Sequence, residues 1–159
     1  MSKPVRILIV NVHSSKNAGD LALLQTVIDL LRQFFQDVEF LVSCNFPDEQ
    51  AVVNISDQVV ASPWNLAGGG TQRKTRYLVL NLLLAWFAAI SGTWHLNKNP
   101  WRSWKPLFDA YQESDFVVAV SGNQFFSSGR FGWPLLAVAM SVKLAEVFKI
   151  PVYIMPQSI

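Results

Sequence analysis

The chain has 159 residues, 51% of them hydrophobic and 15% charged, with 13 Lys and Arg against 11 Asp and Glu. The charged share lies well below the ~25% of an average soluble domain while the apolar share is at or above the norm, which excludes disorder, collagen-like repeats and acidic tails. One core-rich domain is expected, of a size at which folding buries roughly 70% of the unfolded chain's surface.

The basic residues are scattered apart from Arg73-Lys74-Thr75-Arg76, and a net charge of +2 leaves no nucleic-acid footprint. Cys44, the single cysteine, has no partner for an internal disulfide and fits a reducing cytosolic setting; no Cys/His cluster has metal-ligand spacing.

In chain order, Arg6 to Val12 (RILIVNV) is nearly continuous in apolar residues and predicts a strand covered on both faces. Its apolar run is too short for a secretory signal. A polar loop, Ser14 to Asp20, precedes a helix in which Leu23, Leu24, Val27, Leu30, Leu31 and Phe34 recur at helical spacing, with Asp20 as the expected N-cap. Phe40 to Ser43 predicts a second strand, Pro47 to Val53 a short helix, and Gln58 to Ala61 a third strand ahead of a Ser62-Pro63 turn. Asn65 to Gln72, with Gly68-Gly69-Gly70, reads as a flexible loop.

Tyr77 to Ile90 (YLVLNLLLAWFAAI) is a strongly apolar helix that falls short of the ~20 residues a membrane span needs. It is expected to be buried in protein, with non-spanning membrane contact as the alternative. Asn81, Ala85, Ala88 and Gly92 fall on one small-residue stripe, and Leu78, Leu82, Leu83, Trp86 and Ile90 form a bulky face. Trp94 to Trp104 is irregular and Trp-rich, and Leu107 to Tyr111 reads as helical. Phe116 to Val120 predicts a buried strand, Ser121 to Trp133 a loop, Pro134 to Phe148 a helix with Pro in its first turn, and Pro151 to Met155 a last strand. The alternation predicts βαβ units building a parallel sheet with helices on both faces, a Rossmann-like α/β fold. Residues 1–159 are expected to form a single lobe. The sequence stops straight after a strand, where a doubly wound fold would add a helix, so that lobe is expected to be incomplete.

Ligands of open α/β sheets bind outside the carboxyl ends of the strands. Three segments qualify: His13 to Asp20, Ser121 to Arg130, and Pro156 to Ser158. In the first, Gly19 and the helix N-terminus offer backbone N–H groups, but Asp20 as N-cap would occupy them and repel a phosphate, and the Gly spacing fits neither phosphate-loop pattern. Asn17 and Asp20 either hold the loop through side-chain to backbone hydrogen bonds or contact a hydroxylated substrate. In the second segment, Gly122 permits close backbone approach of a ligand or simply a turn, and Arg130 is the best anion partner near a strand end. The aromatic Phe125, Phe126, Phe131 and Trp133 read as packing between domains, with a stacking platform as the alternative. His13, at a strand end, suits general acid or base work or a structural hydrogen bond. His95 has no assigned role, Asp109 and Asp115 are surface or turn carboxylates, and Cys44 is a buried thiol.

Three motifs in order, Asn17-Ala18-Gly19-Asp20 leading into an apolar helix, Asp115 to Gly122 (DFVVAVSG), and Pro151 to Ile159 (PVYIMPQSI), resemble the polysaccharide pyruvyl transferase family. Asn123 stands where that family usually has a further Gly. The resemblance implies two Rossmann-like lobes facing a cleft, as in a glycosyltransferase-B-type fold, with this chain as the N-terminal lobe, the C-terminal lobe absent, and the chain alone inactive and prone to self-association. It also implies transfer of a pyruvyl group from phosphoenolpyruvate, the donor substrate, to hydroxyls of a cell-surface polysaccharide or its precursor, free or lipid-linked, with no cofactor and no metal. Such chemistry protonates C3 of the enol, holds carboxylate and phosphate with Arg or Lys, and deprotonates a sugar hydroxyl as it attacks C2. Carried onto this sequence, His13 and Asp20 are the catalytic candidates, with Asn17, Gly19, Gly122, Asn123, Arg130 and Gln157 as substrate-binding positions. The implied location is the cytoplasm, at most peripheral at the inner face of the membrane. Two other classes share the features read from the residues: a sugar transferase of glycosyltransferase-B type, and a non-catalytic remnant or interaction module.

Overall fold

Eight residues, Val5–Val12, form β1 at the centre of a five-stranded, all-parallel sheet of order β3-β2-β1-β4-β5. The computed structural model describes residues 3–14, 16–67, 78–96, 101–120 and 133–155. After β1 come α1 (Ala18–Phe34), β2 (Val38–Cys44), α2 (Gln50–Ile55), β3 (Gln58–Ala61), α3 (Pro63–Leu66), α4 (Leu78–Ser91), α5 (Lys105–Glu113), β4 (Phe116–Ala119), α6 (Trp133–Val147) and β5 (Val152–Ile154). Two 3₁₀ turns, Thr93–Leu96 and Trp101–Ser103, lie between α4 and α5.

The continuous apolar run of β1 divides by strand parity between two layers. Ile7 and Ile9 pack with Leu24, Val27 and Ile28 of α1 and Val52 of α2, whereas Leu8 and Val10 pack with α4, α5 and α6. The chain builds outward from β1 to β3 under α1 and α2. It then crosses back to start β4 on the other side of β1, and its helices change face at the same step. This is the Rossmann-like doubly wound arrangement, and its switch point lies between β1 and β4.

Several sequence expectations are corrected here. The N-cap of α1 is Asn17: its extended backbone (φ −87°, ψ 110°) and side-chain oxygen, accepting from Gly19 N at 3.0 Å, start the helix one turn before Asp20. Both residue types cap well, and the extended backbone at Asn17 decides between them. The apolar face of α1 is wider than the layer it meets, so Leu23, Leu30 and Phe34 are exposed. Ser62 and Pro63 open α3, with Ser62 Oγ accepting from Asn65 N at 3.2 Å.

The largest correction concerns α4, expected to be buried. Only its inner face is: Leu78, Leu82, Ala85, Ala88 and Ala89. The small residues let α4 pack against α6, and Asn81 Nδ2 donates to Ala67 O at 3.1 Å. Leu83, Trp86 and Ile90 of the expected bulky face point away from this contact and are exposed. Gly92, placed by periodicity on the small stripe, instead follows the last helical residue with φ +69°, the left-handed conformation in which glycine ends helices.

Trp94 and Trp104, which bound the Trp-rich stretch, are both buried in the core. Trp94, Phe108 and Phe148 meet at ring-centroid distances of 5.4–6.1 Å, with Tyr111 stacked on Phe148 at 5.9 Å. Tyr111 is fully buried and its hydroxyl donates to Ser141 O at 2.7 Å, tying α5 to α6.

Candidate functional site at the carboxyl edge of the sheet

Four backbone hydrogen bonds tie the carboxyl ends of the five strands into one edge. Ser62 N donates to Cys44 O (2.9 Å), Asn45 N to Val12 O (3.0 Å), Val120 N to Val10 O (3.1 Å) and Met155 N to Ala119 O (3.1 Å). The three segments expected to bind ligand therefore leave from adjacent strands, β1, β4 and β5. Of their residues, Gly122, Asn123, Arg130 and Gln157 lie outside the described residues. His13, Asn17, Gly19 and Asp20 lie within them, and the fold brings these four together.

Near its end β1 departs from regular pairing. The register with β2 shifts between Ile9 and Val12, and buried Asn11 takes φ +66°. Asn tolerates that left-handed region better than most side chains, and such positions concentrate at functional sites. Beyond the bulge, His13 is exposed, with its ring edge-on to Phe46 at 6.0 Å and Nδ1 3.8 Å from Asp20 Oδ2. That separation is longer than a hydrogen bond and matches a loose ion pair when the imidazole is protonated. Asp20 sits in the first turn of α1, where a carboxylate is favoured by the helix dipole.

The loop between His13 and α1 is held from below. Buried Ser14 donates to Glu49 Oε1 at 2.7 Å and accepts from Lys16 N at 3.1 Å, and Asn17 N donates to Ser14 O at 3.3 Å. Asn17 thus has the loop-holding role, while the Asp20 carboxylate faces His13. A Cβ on Gly19 would come 3.3 Å from Asn17 Oδ1, so glycine there gives the cap clearance.

Sequence reading singled out nothing beyond β2 and β3, although the strand-end rule applies to them equally. Asn45 directly follows β2 and Ser62 directly follows β3; Ser62 Oγ donates to Asn45 Oδ1 (2.5 Å) and Asn65 Nδ2 to Asn45 O (2.9 Å). Beside them lies a cleft of about 510 Å³ lined by Lys16, Phe46, Pro47, Asp48, Glu49, Gln50 and Asn65.

Cys44 lies beneath this edge and is fully buried. Burial pushes its thiol up to about 11 against the opposing hydrogen bond from Phe46 N, so it is protonated at neutral pH and unsuited to nucleophilic work. Among the described residues no group of three or more His, Cys, Asp or Glu is placed to hold a metal ion.

Chemically, the described part of the edge sets Asp20, Asp48 and Glu49 against one Lys, Lys16, with amides at Asn17, Gln50 and Asn65. Carboxylates accept hydrogen bonds from hydroxyls and amides both give and accept. This set suits a polyol better than a multiply charged anion.

A sequence model of the polysaccharide pyruvyl transferase family matches residues 17–159. The chain belongs to the polysaccharide pyruvyl transferase family. Among curated proteins and among solved structures, none matches it. In this pyruvyl transferase chain the matched region begins at the N-cap of α1 and takes in Asn17, Gly19, Asp20, Gly122, Asn123, Arg130 and Gln157, while His13 precedes it. Among the described residues no helix of this family member is long and apolar enough to cross a membrane.

Proposed function

We propose that this chain contributes the acceptor-binding wall of an enzyme that transfers a pyruvyl group from phosphoenolpyruvate to hydroxyls of a saccharide destined for a cell-surface polysaccharide. The observation that carries this reading is the family match over residues 17–159, which takes in most of a strand-end edge rich in carboxylate and amide groups. In the reaction, one saccharide hydroxyl adds to C2 of the enol as C3 gains a proton. A second hydroxyl of the same sugar then displaces phosphate from C2, closing a cyclic ketal, and its proton leaves on the released hydrogen phosphate.

Asp20 is the base we assign to the attacking hydroxyl. Asp20 lies in the first turn of α1, where the helix dipole favours a carboxylate, and His13 Nδ1, 3.8 Å from its Oδ2, is near enough to stabilise it or to pass on the proton it collects. Asn17 positions Asp20 by capping the helix that carries it. Grip on the phosphate and carboxylate of the donor is assigned to cations outside the described residues, Arg130 being the candidate on this chain.

The test is release of phosphate from phosphoenolpyruvate by the full gene product, with free and lipid-linked saccharides as acceptors. Acceptor-dependent release is expected. Release that ignores the acceptor, or tight binding of a nucleotide-sugar in place of phosphoenolpyruvate, would overturn the proposal.

A further inference from the structure

The cleft beside the ends of β2 and β3 lies at the same sheet edge as His13, Asn17, Gly19 and Asp20 but includes none of them. Its volume of about 510 Å³ falls within the ~300–1,000 Å³ of small-molecule sites, which pair an apolar platform with a few convergent polar groups. Here the platform is Phe46, 47% exposed, and Asp48, Gln50 and Asn65 supply carboxylate and amide groups around it.

The lining is fastened before any ligand arrives. Phe46 N donates to the buried Cys44 Sγ at 3.4 Å, and Glu49 N donates to Phe46 O at 3.2 Å, closing a turn over residues 46–49. Ser14 Oγ donates to Glu49 Oε1 at 2.7 Å and Asn65 Nδ2 to Asn45 O at 2.9 Å, so the segments after β1, β2 and β3 are tied to one another. Gln50 Nε2 donates to Asn54 Oδ1 at 2.7 Å, which orients the Gln50 amide. A site held in this way has little ordering left to lose when it binds.

A pyranose ring has the matching chemistry. Its faces carry C–H groups, drawn to the electron-rich face of an aromatic ring, and its rim carries hydroxyls that donate to carboxylates and exchange hydrogen bonds with amides. An anion fits worse, because Lys16 is the one cation among the described lining residues and stands against two carboxylates, Asp48 and Glu49. Phe46 also joins the cleft to the catalytic candidates. Its ring centroid lies 6.0 Å from that of His13, which faces Asp20. A sugar at Asp20 therefore has its chain neighbour within reach of the cleft.

We propose that this cleft is a second saccharide subsite, holding the neutral sugar unit next to the one that receives the pyruvyl group, with Phe46 as stacking platform and Gln50 and Asn65 as hydroxyl partners. The proposal rests on the pyruvyl transfer reading and deepens it: the acceptor is an oligosaccharide rather than a single sugar.

The experiment is titration of the full chain, without phosphoenolpyruvate, by saturation-transfer difference NMR with methyl glycosides of glucose, galactose and mannose and with the matching di- and trisaccharides. In at least one series the longer saccharide is expected to bind at least about tenfold tighter than its monosaccharide. Phe46→Leu, which keeps an apolar side chain and removes the ring, and Gln50→Ala, at an exposed position, are each expected to remove most of that gain and leave monosaccharide binding little changed. Equal affinity for short and long saccharides, a gain that survives both variants, or no saccharide binding at all would overturn the proposal. So would a sugar phosphate that binds tighter than every neutral saccharide and loses its advantage in Lys16→Ala, which would assign the cleft to an anion. Ketal formation separates the two readings. A ketal formed with equal short and long saccharide binding removes only the second subsite, whereas a Phe46-dependent gain without any ketal upholds the cleft as a saccharide site and removes only the pyruvyl transfer.

Discussion

Gly19 and Asn17 form a coupled pair whose energetics can be worked from one distance. Asn17 Oδ1 accepts from Gly19 N at 3.0 Å, and a Cβ at position 19 would stand 3.3 Å from the same oxygen, close enough to push the carboxamide back by a few tenths of an ångström. Asn17→Ala removes the cap and should cost about 1 kcal/mol, within a range of roughly 0.5–2. Gly19→Ala gains up to about 1 kcal/mol of helix propensity, but in the wild-type background it disturbs the cap by a similar amount, so the net change is near zero. In the Asn17→Ala background there is no cap to disturb, and the same substitution should stabilise by about 1 kcal/mol. The coupling energy is thus about 1 kcal/mol, well above the ~0.3–0.5 kcal/mol scatter of independent sites. Urea unfolding of the four proteins measures it, provided the m-value stays constant. If Gly19→Ala has the same effect in both backgrounds, the cap geometry is wrong, and so is the positioning role given to Asn17.

Alkaline stability follows from Cys44. Its folded value of about 11 lies above the ordinary 9.0, so the folded state keeps a proton that the unfolded state has lost; the stabilisation is complete below pH 9.0 and disappears as pH rises to about 11. The expected slope is about 1.4 kcal/mol per pH unit. Burial raises Tyr111 as well, adding to the loss at higher pH. Cys44→Ala should flatten the slope in the first window, and an unchanged slope would contradict the assignment.

At the opposite edge of the sheet, Arg6 Nε meets Glu39 at 2.6 Å and Nη1 meets Glu113 at 2.7 Å, with 31% of the Arg6 side chain exposed. Arg6→Ala should cost about 1 kcal/mol, diminishing in high salt, without affecting ligand binding; a salt-independent loss would count against ion pairing. Ser43 Oγ is buried with no hydrogen-bond partner among the described residues, so Ser43→Ala should raise stability by about 1 kcal/mol, read as a Tm increase of roughly 2–4 °C. A fall in Tm would mean that the hydroxyl has a partner.

The sheet was legible because its strands are short apolar runs, those of β1 and β4 covered on both faces, and β3 begins and ends where its pattern predicts, Gln58–Ala61. The β1 edge of the site was legible from the strand-end rule and from the polar loop before α1. What local pattern could not settle was the choice between two good caps, which the extended backbone at Asn17 decides. Nor could it settle the fate of α4. Fourteen uncharged residues read as burial, yet burial depends on how many neighbours the fold supplies, and α6 and α5 reach only one side of the helix. Asn45, Glu49 and Asn65 were missed because their relation to β1 depends on the parallel pairing of β2 with both neighbours, a long-range fact.

The measurement that bears most directly on the central claim is formation of the pyruvyl ketal on a saccharide, followed by proton NMR of the ketal methyl group while phosphate is released from phosphoenolpyruvate. The full gene product should form the ketal in step with phosphate; Asp20→Asn should slow it by at least about 100-fold, and Arg6→Ala should leave the rate unchanged. Equal rates for Asp20→Asn and the parent would contradict the assignment of the β1 edge, and no ketal with any saccharide tested would contradict the pyruvyl transfer reading itself.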